Sequence, residues 1–162
     1  MKKLKLLVFS DTHGHESYIE RAIKAHGEKA DALIFLGDGI LGANEVFAGY
    51  PHIPHVCVRG NCDVYATGEV DEALVDMGGI KILCMHGHKY SVKSTLVRAT
   101  YRALEREADL VLFGHTHVPE EKREMGVVLF NPGSLGRGYP ERTYGVVEIV
   151  NGEIVCGHGK LW

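Results

Sequence analysis

Asp, Asn and His gather in short polar stretches of this chain: Ser10-Asp11-Thr12-His13, Gly37-Asp38, Gly60-Asn61, Met85-His86-Gly87-His88 and Gly114-His115-Thr116-His117. Each stretch follows an apolar run of strand length. Their oxygen and imidazole donors suit manganese, iron, nickel, cobalt or zinc, and Cys62 is the one thiol beside them. In D-x-H and H-x-H pairs, alternate residues fall on the same side of an extended loop. Asp11 with His13, and His115 with His117, can therefore each face a single site. Asp11, His13, Asp38, Asn61, His86, His115 and His117 make seven candidate ligands, more than the roughly four to six that one ion takes up. A dinuclear site follows. Asp38 is its natural bridge, because one carboxylate can place an oxygen on each ion.

Side chains so far apart in sequence need a common rim, and the carboxyl ends of strands in an α/β sheet provide one. Residues 4–10 and 32–36 read as apolar strands. Helical spacing follows them over 16–29, through Ile19, Ala22, Ile23 and His26, and more weakly over 43–49. Residues 56–59 read as a third strand. Around Gly78-Gly79, residues 69–76 and 81–85 alternate as a hairpin. The spacing predicts a helix over 91–108, capped by Ser91 and burying Val97, Tyr101, Leu104 and Ala108. Strands at 109–113 and 127–130 and a hairpin of 143–150 with 154–156 around Asn151-Gly152 complete the reading. A βαβ-like first half and a hairpin-rich second half must each cover an apolar face. Two layers of mixed sheet with helices outside do this most economically, as one domain over 1–162.

Composition narrows the classes. The 162 residues suffice for one compact core, and 45% hydrophobic with 24% charged residues excludes a disordered chain. No apolar run approaches the roughly 18–20 residues of a membrane span. Met1-Lys2-Lys3-Leu4-Lys5 leads into a strand without a small-residue cleavage site, so the expectation is a cytoplasmic protein with no membrane partner. Lys and Arg number 18 against 21 Asp and Glu, a net charge of −3 that provides no uniform positive field for nucleic acid. Cys57, Cys62, Cys84 and Cys156 form no C-x-x-C pair and are expected as reduced thiols, with Cys57, Cys84 and Cys156 as small core residues.

Taken in order, SDTHG at 10–14, LGD at 36–38, VRGNCD at 58–63, HGH at 86–88, GHTHVP at 114–119 and NPGS at 131–134 resemble the calcineurin-like metallophosphoesterase superfamily. The likeness is greatest to its small bacterial and archaeal phosphodiesterase branch, the YfcE-like proteins. The resemblance implies a four-layer αββα sandwich. It assigns Asp11, His13 and His117 to one divalent ion and Asn61, His86 and His115 to another, with Asp38 bridging. Manganese is the first expectation, with nickel, iron, cobalt or zinc as alternatives. It further implies hydrolysis of small phosphodiesters by a hydroxide held between the ions, which attacks phosphorus while both cations neutralise the phosphate oxygens. Most of the superfamily has Gly-Asn-His where this chain has Gly60-Asn61-Cys62. A thiol of pKa ~8.5 is a poorer acid than imidazolium near neutral pH, so poor leaving groups are expected to react slowly.

Around that set, His88 is expected either to reach substrate and supply the missing acid or to anchor a loop. Arg59 can contact a phosphate oxygen or pair with a strand neighbour. NPGS can line the site or simply hold a turn. His26, His52, His55 and His158 match no motif and are read as surface or packing residues. Two other functional classes compete with a diesterase. A retromer subunit of this fold serves as an interaction scaffold after losing part of the ligand set, whereas every ligand position here is filled. Nucleases of the superfamily carry additional segments for which this length and charge leave little room, so no stable nucleic-acid partner is expected. Relatives of this kind form dimers or larger assemblies, so a homo-oligomer is among the expected partners.

Overall fold

The computed structural model describes residues 3–136 and 141–162. Its elements run β1 (Lys3–Phe9), α1 (Ser17–Ala25), β2 (Ala32–Phe35), α2 (Ile40–Ala48), β3 (His55–Cys57), β4 (Glu72–Met77), β5 (Ile80–Met85), a 3-10 turn at His88–Tyr90, α3 (Val97–Glu105), β6 (Leu110–Leu112), β7 (Glu120–Glu124), β8 (Val127–Asn131), β9 (Arg142–Val150) and β10 (Glu153–Leu161). One sheet has the order β10-β9-β1-β2-β3 and the other β4-β5-β6-β8-β7. Both are mixed. β1, β2 and β3 run parallel, as do β5, β6 and β8, and antiparallel strands flank each parallel set.

Strict alternation along the central strands builds the layers. Leu6 and Val8 of β1, Ala32 and Ile34 of β2, and Ile82, Cys84, Leu110 and Leu112 of the other sheet meet between the sheets. The intervening Leu7, Phe9, Leu33 and Phe35 turn outward onto Ile19, Ala22 and Ile23 of α1 and Ala43 and Phe47 of α2. On the far side, Leu83, Met85, Val111 and Phe113 pack beneath Ala99 and Ala103 of α3. Strands buried on both faces read as continuous apolar runs, and these three cores give the expected αββα sandwich.

Two sequence expectations need correction. The helix expected over 91–108 is confined to Val97–Glu105, with Leu96 at its N-cap, while Ser91, left-handed at φ 54°, ends the 3-10 turn and does not cap α3. Its buried face is Ala99, Thr100 and Ala103, whereas Val97, Tyr101 and Leu104 face outward. Small side chains let the helix lie close to the sheet, and the large apolar ones remain on the free side. β7, with sequence EEKRE, was not expected as a strand. It pairs only with β8, and its charges suit an edge.

Candidate metal centre

The loops after β1, β2, β5 and β6 meet at one rim, bringing Asp11 and His13, Asp38, His86, and His115 and His117 together. Asp11, Asp38 and His86 are buried there despite their polarity. Asp11, His13, Asp38, His115 and His117 all adopt positive φ, between 43° and 71°. That region is sparsely populated by side chains of this kind, and such residues cluster at functional sites. Close loop contacts impose it. The Asp11 amide donates to Gly37 O at 2.9 Å and the His13 amide to Asp38 O at 3.1 Å. A Cβ on Gly60 would lie 2.2 Å from Asp38 Oδ1, so only glycine fits beneath that carboxylate.

Distances within the cluster match those around a metal. Ligands bonded at about 2.1 Å to one ion stand about 3.0–3.4 Å from their neighbours in octahedral or tetrahedral geometry. Here His13 Nε2 lies 3.3 Å from His117 Nε2, and Asp11 Oδ1 lies 3.2 Å from His117 Nε2 and 3.6 Å from His13 Nε2. In a second group His86 Nε2 is 3.3 Å from Asp38 Oδ2 and 3.2 Å from His115 Nδ1. Asp38 Oδ2 is also 3.8 Å from His13 Nε2 and so faces both groups. Asp11 Oδ1 is buried without a hydrogen-bond partner, an expensive state for a carboxylate oxygen that a cation relieves. The donor set fits divalent metal.

Electrostatics agree with that fit. Burial opposes charge on Asp11, yet His117, His13 and His86 outweigh it and hold the carboxyl well below the usual range. Asp38 is lowered as well, because bonding from His86 and the Cys62 amide overcomes its burial. Burial, with His86 beside it, pushes His115 down to about 4, which leaves a neutral imidazole with a lone pair for a ligand bond. His86 Nδ1 stands 2.7 Å from Leu36 O, a contact that fixes the proton on Nδ1 and turns Nε2 toward the cluster.

The other expected residues divide. Cys62 donates its backbone N–H to Asp38 Oδ1 at 2.8 Å, and its thiol lies among His13 and Asp38. Burial and then Asp38 push that thiol up. Asn61 is exposed on the same loop, with Nδ2 3.6 Å from Cys62 Sγ. His88 sits with its ring 5.4 Å from that of His86, and its Nδ1 is buried without a partner. Arg59 donates to Asp71 at 3.1 Å and to Ala66 O, which is the charge-pair reading. NPGS serves as an anchor: Asn131 Nδ2 donates to Gly114 O and Thr116 Oγ1, and Ser134 Oγ to Asp11 O. His26 pairs with the Tyr144 hydroxyl, and His158 stacks on Phe130.

Sequence reasoning overlooked Asp63. Its Oδ2 accepts from the amides of Asp38 and Gly60 at 2.7 and 2.8 Å, and its Oδ1 from Gly39 and Ile40 at 2.8 and 3.1 Å. The carboxylate thus sits at the N-terminus of α2 and pins the backbone of Asp38. An acidic residue three positions after Gly60, in a loop that must meet a helix start, was the available signal.

A match to the calcineurin-like phosphoesterase superfamily domain spans residues 4–152. The chain belongs to the calcineurin-like phosphoesterase superfamily. This superfamily member is 35% identical over 151 residues to a probable metallophosphoesterase, YsnB, of Bacillus subtilis, covering 91% of this chain and 86% of that protein. It is 27% identical to the phosphodiesterase YfcE of Escherichia coli, covering 90% and 88%. A predicted phosphoesterase from Streptococcus pneumoniae superposes with a TM-score of 0.84 at 30% identity, over 99% of this chain and 91% of that one. Vps29 from Entamoeba histolytica, solved with zinc, shares the fold at a TM-score of 0.71 and 20% identity, over 97% and 99%. Among the described residues no helix is long and apolar enough to cross a membrane.

Proposed function

We propose that this chain is a dinuclear metal-dependent phosphodiesterase acting on small phosphodiesters. The observation that carries this reading is Asp38, whose Oδ2 stands 3.3 Å from His86 and 3.8 Å from His13, so that two ligand groups abut through one carboxylate. In this reading Asp11, His13 and His117 hold one ion, Asn61, His86 and His115 hold the other, and Asp38 is shared. Two bound dications, with manganese the first choice, would supply Lewis-acid activation of water and neutralise the oxygens of a phosphate ester.

The chain's own residues orient and hold protons. His86 keeps its proton at Nδ1 against Leu36 O and so presents Nε2 in a fixed direction. Cys62 keeps its proton at Sγ, because burial and the Asp38 carboxylate oppose a thiolate. The position beside the cluster therefore carries a neutral, weak acid. That favours diesters over dianionic monoesters, and departing oxygens that need no proton. His88 stands beside the cluster with Nδ1 unpartnered, but burial and then His86 lower its pKa and oppose a charged imidazolium there. Arg59 reaches substrate only by leaving Asp71. The ligand positions are all filled, which favours turnover over a scaffold role.

Activity on bis-p-nitrophenyl phosphate with added manganese, beside a chelated control, tests the reading, together with elemental analysis after loading. Metal-dependent turnover with close to two equivalents bound is the expected outcome. Saturation at one equivalent defeats the dinuclear assignment, and equal rates with and without chelator defeat metal dependence.

A further inference from the structure

A groove of about 200 Å³ opens beside the cluster, lined by Cys62 and Asp63 on one wall and by Gly39, Leu41 and Gly42 of the α2 start on the other. Its rim is apolar and unusually open to water. Leu41 is 60%, Val64 63% and Tyr65 89% exposed. Burying such side chains is worth about 25 cal/mol per Å², so three together on a surface mark a place where something else covers them.

The backbone on either side of these residues is anchored. Asp63 is fixed by four backbone amides. Ala66 is buried against the α2 core, with its N–H on Asp63 O at 3.1 Å and its O accepting from Arg59. Val64 and Tyr65 lie between these two anchors with their side chains exposed. Among the described residues the Tyr65 ring meets no other ring. The groove is also continuous with the metal-ligand cluster, because Cys62 belongs to both.

Charge selects the occupant. Glu16 lies across Gly42 at the groove, and Asp63 forms part of its wall. Among the described residues no cationic side chain lines it. Because Asp63 is already held by four backbone amides, Glu16 is the charge that disfavours a second phosphate here, whereas a neutral ring would find apolar walls and the face of Tyr65. In size, a cavity of about 150 Å³ holds one benzene ring, so this groove accepts a single aryl group or nucleobase.

We propose that this groove is a subsite for one neutral aromatic substituent of the phosphodiester substrate, an aryl or nucleobase-bearing ester group stacked on Tyr65. The inference rests on the phosphodiesterase reading above and narrows its substrate class. Ring stacking of this kind contributes roughly 5- to 100-fold in affinity per base or aryl group. Tyr65 then acts through its ring face and not through its hydroxyl.

The test uses the manganese-loaded full chain and two slowly hydrolysed analogues, phenyl methylphosphonate and methyl methylphosphonate, titrated by calorimetry. Each has one negative charge and only the first carries a ring, so the result is independent of which ester oxygen would leave. The wild type should bind the phenyl compound roughly 5- to 100-fold more tightly. Tyr65→Ala should erase that preference and lower kcat/KM on bis-p-nitrophenyl phosphate by a similar factor with unchanged metal content, and Tyr65→Phe should retain both. Equal binding of the two analogues by wild type, or a Tyr65→Ala variant that keeps the preference, overturns the subsite while leaving the phosphodiesterase reading intact. A wild type that hydrolyses no diester and binds neither analogue overturns that reading itself.

Discussion

Replacing Asp63 with Asn tests whether the metal centre depends on a residue that touches no metal. The side chain is isosteric, but one oxygen becomes an amino group facing two backbone N–H donors. Whichever way the amide turns, two of the four accepted bonds, at 2.7–3.1 Å, are lost, and the remaining two lose their charge assistance. Bonds to a charged group are worth about 1.5–3 kcal/mol each. Because the loop is only half-buried and water can reach the freed amides, about 3 kcal/mol is expected in total. Part of this loosens the α2 start, and part frees Asp38 from its backbone conformation at φ 64°. Groups that orient a ligand in this way typically govern 10- to 100-fold in metal affinity. Thermal denaturation with and without manganese, and calorimetric titration of the metal, measure the two parts. We expect a lowered Tm in the metal-free protein and a weaker second equivalent. An Asp63→Asn variant with wild-type metal affinity at both equivalents would refute the argument that Asp63 sets the geometry of Asp38.

The remaining expectations are smaller in scope. Asp38→Asn should cost more activity than His13→Ala, because it removes the carboxylate that lies beside both His86 and His13 and that the dinuclear reading shares between two ions; steady-state rates with metal content measured alongside decide it, and the reverse order excludes Asp38 as the bridge. Cys62→Ala should change bis-p-nitrophenyl phosphate turnover only a few-fold, since a positioned acid contributes about 10²–10⁴-fold and p-nitrophenolate needs none; a larger loss with metals intact assigns the thiol a direct role. Glu72 joins β4 to α3 by accepting from Arg102, Arg106 and Tyr90, and although burial opposes its charge, the bonds from Arg102 and Tyr90 lower its pKa. Its stabilisation is therefore complete above the unfolded carboxylate value and is lost as pH falls through the lowered folded one. Glu72→Gln should cost about 1–2 kcal/mol at pH 7, read as a Tm difference that begins to narrow as pH falls below about 4.3, the unfolded carboxylate value; a difference independent of pH contradicts the assignment.

Much of the site was legible because its residue types are expensive to place anywhere else. Asp11, Asp38 and His86 end apolar strands, and the αββα layers follow from strands that alternate between two cores. What escaped was governed by tertiary packing. Val97, Tyr101 and Leu104 repeat like a buried stripe, but α3 approaches its sheet through Ala99 and Ala103, and spacing alone does not tell a large outward face from a small inward one. β7 carries no apolar alternation because neither of its faces is buried. Asp63 was hidden because its partners are backbone amides, so its spacing from Gly60 was the one trace it left. NPGS and Arg59 admitted two readings, and only the positions of Gly114, Asp11 and Asp71 distinguish them.

The left-handed backbone at five of the ligand residues has an evolutionary consequence. Each such residue costs roughly 1–2 kcal/mol relative to glycine in the same conformation. Exchanging His13 or His117 for glycine would therefore relieve backbone strain as it removed a candidate ligand, whereas the buried Asp11 also accepts from Ser10 and the His115 amide. If this rim is a working metal centre, selection for turnover would hold these side chains against that strain. In a lineage where catalysis ceased to matter, decay of the rim would proceed downhill, and the sandwich beneath it would persist.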